Sequence, residues 1–271
     1  MAASVNSFQI VLDGRKAAPE ELNPLVFAGF AHFTAMQVRD GKVRGMDLHL
    51  ARLRAASVDF FGAALPDESL RSFMRIAIED GSCEQSLTVT IFSRSGEFTS
   101  AGIGSEPAAL VRTGPPSKGP IGPLRLAVVN FERPLPTVKH VGEAAKTYYL
   151  HQAVRQGFDD AAFVDRRGRL SEATIWNLVY WDGEAVVWPE AAVLAGVTMG
   201  VVSRQLKRLG IPQRREEITL ENLKHLQGAA VMNSWTPGVP VTTIGQVVLP
   251  EAKPFIELLH KAYIAEPALS I

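Results

Sequence analysis

"DAAFVDRRGRLSEATIWNLVYWDGEAVVWPE", residues 160 to 190, decides the fold. It holds short apolar runs rich in valine, tryptophan and tyrosine, broken by the turn stretches "DRRGR" and "WDGE". Runs this short, bounded by such residues, predict a meander of strands rather than helices. One residue is out of place. Glu172 is a carboxylate inside a run otherwise suited to a buried strand. Acidic side chains are seldom buried unless something pairs with them, so Glu172 marks a position with a partner.

Working outward, the flanking segments alternate between helix and strand. "RLAVVNFERP" reads as a strand, and a helix is expected from about Gly142 to Gln156, stopped by Gly157. "GVTMGVVSRQLKRLG" reads as a helix with Val202, Leu206 and Leu209 on one face, ending at Gly210. A short helix over "TLENLKHL", strands over "AAVMNSW" and "VPVTTIGQVVL", and a closing helix over "EAKPFIELLHKAY" complete this half. In the other half, "SFQIVLDG" predicts a strand and an Asp-Gly turn, and "FAHFTAMQVRDGKVRGMD" a hairpin turning at "RDGK". Asp47 suits a helix N-cap, with the helix running to Gly62; a second helix covers roughly Glu68 to Glu79, and "SLTVTIFSR" is a strand. "RTGPPSKGPIGP", residues 112 to 123, is too rich in proline and glycine for a helix or a central strand. The expected organisation is an α/β (α+β) chain with a small domain over 1–113, a linker over 114–123 and a larger domain over 124–271.

Composition narrows the function classes. The 271 residues are 46% hydrophobic, enough for a large core, and carry 28 basic against 28 acidic residues. This balance points away from nucleic acid and from anionic membranes as partners. The single cysteine, Cys83, allows neither an intrachain disulfide nor a cysteine zinc site, and no metal site is expected. The absence of a leader pattern and of a long apolar run predicts a soluble, cytoplasmic protein.

Several residues could carry chemistry. Lys139, in "PTVKHVGEAAK", lies between a strand and a helix, where an amine is held firmly and can form a Schiff base. Glu172 follows it by 172 − 139 = 33 residues. A buried carboxylate facing the ring nitrogen of a heteroaromatic cofactor keeps that nitrogen protonated and makes the ring an electron sink. Asn177, expected in the same strand, could fix the carboxylate or the cofactor. Gly196, Val197 and Thr198 open a helix whose free N–H groups suit a phosphate. Ser234 could add a hydroxyl and Arg52 a cation, with His49 one turn before Arg52 on the same helix. A second lysine, Lys146 in "AAKTYYL", falls inside the expected helix and 26 residues before Glu172; placement at the strand–helix junction favours Lys139.

The order "HLARL", "VKH", "DRRGRLSEATIWN" and "LAGVT" resembles the class IV aminotransferases, the fold-type IV enzymes of pyridoxal 5'-phosphate (PLP). These include branched-chain and D-amino-acid aminotransferases and aminodeoxychorismate lyase. The likeness runs from about Phe8 to Val241. It implies two domains, the larger one barrel-like, and a homodimer. It implies Lys139 as the Schiff-base lysine, Glu172 as the pyridine-nitrogen partner, and Arg52, Val197, Thr198 and Ser234 as the phosphate cup. The implied reaction is transfer of an amino group between an amino acid or amine and a keto acid.

The sequence departs from that family in two places. "HVGEAA" after Lys139 lacks the tyrosine many members carry, and "FAGFAHFTAMQV" lacks the acidic residue and the arginine of the family's glycine-rich pattern. Arg94, in "IFSRSG", is the candidate cation for a substrate carboxylate. Two other readings stay open: elimination of pyruvate from aminodeoxychorismate, and a PLP-binding protein that has lost catalysis.

Overall fold

The computed structural model describes residues 8–79, 81–95, 97–98 and 107–271. These divide into two compact units. The first runs through Ser117 and takes back Val138–Glu143 and Ala268–Ile271; the second holds Lys118–Thr137 and Ala144–Pro267. Ser117 lies inside the stretch expected as the linker, over 114–123.

The first unit is built on β1 (Ile10–Leu12), β2 (Arg15–Lys16), the single turn α1 (Asn23–Val26), β3 (Ala31–Arg39), β4 (Lys42–Arg44), α2 (Met46–Phe61), α3 (Asp67–Ile78), β5 (Glu84–Phe92) and β6 (Ala108–Gly114). Residue 7, the first of the expected strand "SFQIVLDG", lies outside the described residues. Both expected Asp-Gly turns form: Asp13 and Gly14, and Asp40 and Gly41, all have positive φ. Two adjacent residues with positive φ match the twist of an antiparallel pair. Val38, Val43, Leu87, Val89 and Val111 meet Leu50, Leu53, Leu70 and Met74 of the two helices in one core.

Some boundaries differ from expectation. Gly45, not Asp47, is the N-cap of α2; it has φ 71°, which a glycine adopts without strain, and Asp47 sits in the first turn instead. Arg112, Thr113 and Gly114 extend β6 between β5 and β1, although a proline and glycine count marked them as unfit for a central strand. The prolines begin only at Pro115, so the three residues before them keep their ladder donors. After the last helix the chain adds a strand, β16 (Ala268–Ser270), paired antiparallel with β4.

The second unit comprises β7 (Leu124–Asn130), α4 (Ala144–Arg155), β8 (Asp160–Val164), β9 (Leu170–Ala173), β10 (Asn177–Trp181), β11 (Val186–Pro189), α5 (Val197–Arg208), β12 (Gln213–Glu216), β13 (Gly228–Met232), β14 (Val239–Ile244), β15 (Val247–Val248) and α6 (Lys253–Ala265). The meander of residues 160 to 190 supplies β8 to β11. Pairing runs β10, β13, β14, β7, β8, β9 and returns from β9 to β10, which closes six strands into a barrel. Leu126, Ala162, Leu170, Leu178, Tyr180, Val231 and Val241 belong to one core cluster. Their strand neighbours Val179, Ala230 and Met232 pack with α5 and α6, while Ala127, Ala161 and Phe163 pack with Ala153 of α4. Strands buried on both faces need apolar residues at every position, which is why the meander lacks polar alternation. Among the described residues no helix is long and apolar enough to cross a membrane.

Candidate active site

In the second unit, Glu172 and Asn177 face each other as a cross-strand pair, the next-to-last residue of β9 against the first of β10. The turn between them is held from below. Asp160, at the start of β8, accepts from Thr174 Oγ1 at 2.6 Å and from Trp176 Nε1 at 2.8 Å. Burial pushes the Asp160 carboxyl above its ordinary range, and the hydrogen bonds from Thr174, Ala161 and Trp176 pull it back.

Glu172 is buried, 2% exposed, so the meander does bury its acid. The partners are now defined. Lys146 Nζ donates to Oε1 at 3.0 Å, and Arg133 Nη1 lies 3.5 Å from the same oxygen. The backbone N–H of Leu194 donates to Oε2 at 3.3 Å. All three side chains are within a few per cent of full burial. Charges this deep are tolerated only as a set, because each alone would lose its hydration without return. Lys146 reaches Glu172 because it lies in the first turn of α4, and Arg133 because the chain turns inward after β7. Spacing and placement along the chain make Lys146 the weaker of the two lysines, and Arg133, in "NFERPLP", has no signal in the sequence.

Leu194 is clasped from both sides. Asn177 Nδ2 donates to its carbonyl at 2.7 Å while its N–H serves Glu172. This fixes the approach to α5. Gly196 is the N-cap of α5, and no side chain caps that end. A Cβ on Gly196 would fall 2.0 Å from Asn177 Oδ1, so a glycine is needed for the two segments to meet. The N–H groups of Val197 and Thr198 stand in the first turn, where the dipole and the free donors of a helix favour an anion. The Thr198 hydroxyl donates to the Asn233 carbonyl at 2.8 Å, which docks the helix end on the turn after β13. Asn233 caps that turn by accepting from Trp235 N–H at 2.8 Å, and Ser234 is half-buried within it.

The remaining expected site residues belong to the first unit. Arg52, on α2, donates to Thr34 Oγ1, which lies 2.6 Å from His49 Nδ1. Burial and the Arg52 charge hold the His49 imidazole well below its ordinary range. Lys139 is partly buried. Its carbonyl accepts from Phe33 N–H at 2.8 Å, and its Nζ sits 4.7 Å from the centre of the Phe33 ring. His32 and His140 form a bridge beside it. Arg94 is engaged by Asp13 at 2.5 Å on the exposed surface.

The donor set of the second unit fits PLP. A buried carboxylate matches the pyridine nitrogen and an uncapped helix N-terminus matches the phosphate. An amine in contact with the carboxylate, however, leaves no room for an aromatic ring between the two.

The fold has solved relatives in shape. The branched-chain aminotransferase of Thermoproteus uzoniensis, solved with norvaline, superposes with a TM-score of 0.84 at 20% identity, over 95% of this chain and 94% of that one. The branched-chain amino acid aminotransferase of Escherichia coli gives 0.81 at 18% identity, over 94% and 92%. A putative 4-amino-4-deoxychorismate lyase from Legionella pneumophila gives 0.78 at 18%, over 86% and 90%. No curated protein matches by sequence. The profile of the family described as "Amino-transferase class IV" matches residues 31–244, most of the chain including the whole barrel. This chain therefore belongs to the class IV aminotransferases, a family of PLP-dependent fold-type IV enzymes.

Proposed function

We propose that this protein moves an amino group between an amino acid or amine and a keto acid, with Lys139 as the lysine that carries the cofactor. When bound, PLP supplies a sink for the electron pair left on the α-carbon of the amino donor. Glu172 holds a proton on the ring nitrogen. The first-turn N–H groups of Val197 and Thr198, with Arg52 and Ser234, take the phosphate. Asn177 keeps the Leu194 segment and the start of α5 in register with Glu172. Lys139 Nζ moves the proton at the substrate α-carbon. The single observation that carries this reading is the buried, multiply paired Glu172 beside an uncapped helix end.

The choice of lysine rests on geometry as well as on sequence order. Lys146 is committed to Glu172, the residue that would hold the ring nitrogen. Lys139 is held by its carbonyl to the backbone of β3, with its amine over an aromatic face. The same reading makes the protein a cytoplasmic homodimer. Val26, Phe27 and Phe98, exposed on the first unit, support a partner surface there.

The test begins with the purified protein, which is expected to be yellow. Borohydride should fix the cofactor on the peptide that holds Lys139; a label on Lys146 would refute that assignment. A panel of L- and D-amino acids, branched-chain ones included, and simple amines should contain a donor that bleaches the band with no keto acid present. Adding a keto acid should restore it. If no donor bleaches the band while aminodeoxychorismate releases pyruvate, transamination is the wrong reaction.

A further inference from the structure

Lys146 is not needed to explain transamination, yet its amine is spent deep inside the second unit. Side-chain exposure there is 7% for Lys146 and 3% for Glu172, and the donor–acceptor distance is 3.0 Å. Burying an ammonium costs desolvation, so the contact must be worth something to the site. Arg133 already stands beside Oε1, at 3.5 Å, and Leu194 N–H beside Oε2. We propose that Lys146 is a tuning residue that draws charge from Glu172 and so loosens its hold on the proton of the cofactor's ring nitrogen.

The argument is one of competition for a single carboxylate. A carboxylate offers about four lone-pair sites. Lys146, Arg133 and the Leu194 N–H compete for them on two oxygens, and Asn177 stands opposite in the neighbouring strand. A ring N–H must share what is left. An ammonium this close also repels a second positive charge arriving at the same oxygens. Both effects have one sign: they favour a ring nitrogen that gives up its proton more readily. The consequence is a weaker electron sink than a carboxylate serving the ring alone would support. That suits a reaction in which the carbanion must be handed on quickly rather than stored. Lys146 acts through Glu172 and is a positioning residue, not a catalytic one.

This inference rests on PLP being the cofactor, and the experiment separates the two. PLP labelled with nitrogen-15 at the ring nitrogen is bound to the wild type, Lys146→Met and Lys146→Arg. The nitrogen chemical shift is then followed against pH as the measure of ring protonation. Removing the ammonium should raise the proton affinity of the ring nitrogen about tenfold or more, the scale of one unit charge at short range in a protein interior. Lys146→Arg, which keeps the cation, should stay near the wild type. A merely structural lysine would leave the midpoint in place. If Lys146→Met does not fold, Lys146→Gln, neutral but still able to donate to Oε1, is read in the same way. A bound cofactor whose midpoint does not move in the neutral variant overturns the inference alone. So does a borohydride label on Lys146. A wild type that binds no PLP overturns the functional reading and takes this inference with it.

Discussion

The two units bury polar groups by opposite means. In the first, His32 and His49 are each hydrogen-bonded to a hydroxyl: His32 Nε2 to Ser57 Oγ at 3.0 Å, and His49 Nδ1 to Thr34 Oγ1 at 2.6 Å. Burial, followed by the charge of Arg52, pushes both imidazoles down, His32 to about 4. They meet the cost of burial by shedding their protons. In the second unit Glu172, Lys146 and Arg133 keep hydrogen-bonded, ion-paired contacts at full burial. The first arrangement is vulnerable to acid and the second to loss of one member.

The largest effect should come from breaking the ion cluster. Glu172→Gln leaves two buried cations beside a neutral amide, which should cost about 3–5 kcal/mol of stability in denaturant unfolding. The double variant Glu172→Gln/Lys146→Met should recover part of that loss. Glu172→Gln should also lower turnover by about a hundredfold or more while cofactor is retained, because an amide cannot hold the ring proton. Turnover near the wild type would make Glu172 a structural residue.

Acid should expose the other unit. His32 titrates near 6.5 when unfolded and about 4 when folded, so the unfolded chain binds more protons in that window. Stability is therefore complete above 6.5 and is lost as the pH falls toward 4, by roughly 3 kcal/mol at most. His49 acts in the same direction. Unfolding of the wild type and of His32→Gln across this range should show a shallower acid loss in the variant; parallel curves would mean that His32 is not the titrating group.

The smallest change sharpens the comparison at one atom. Gly196→Ala puts a methyl against Asn177 Oδ1 and should cost about 1–3 kcal/mol. It should also weaken retention of the cofactor, because α5 must shift at the end that takes the phosphate. Adding Asn177→Ala should relieve the clash but not restore the Leu194 clasp. A neutral Gly196→Ala would show that the two segments yield freely.

Much of this was legible in order and type. The meander of residues 160 to 190 announced strands on either side of "DRRGR" and "WDGE" because those turns are local chemistry, and the Asp-Gly turns were readable for the same reason; the break after Ala173 that splits the middle run into β9 and β10 was not. Helix ends at Gly62, Gly157 and Gly210 were readable because positive φ there excludes most other residues. The limits of β6 were not, because its last three residues owe their state to β5 and β1 on either side. Nor was the N-cap of α2, where Gly45 and Asp47 both suit a helix start. Among the site residues, Glu172 stood out as an acid in an apolar strand. Arg133 did not, because an arginine before a proline looks like any loop arginine until the chain turns it inward.

The sequence by itself determined the family, the alternation of elements, the oddity of Glu172 and the presence of two lysines upstream of it. Those are matters of local periodicity and of motif order. Tertiary structure alone decided that β9 returns to β10 to close the barrel, and that α4 enters with Lys146 in its first turn aimed at Glu172. It also decided that Arg133 joins them and that Asn177 clasps the loop before α5. The reason is physical. A buried charge chooses its partner by distance and by the lack of water, and neither is written in spacing along the chain.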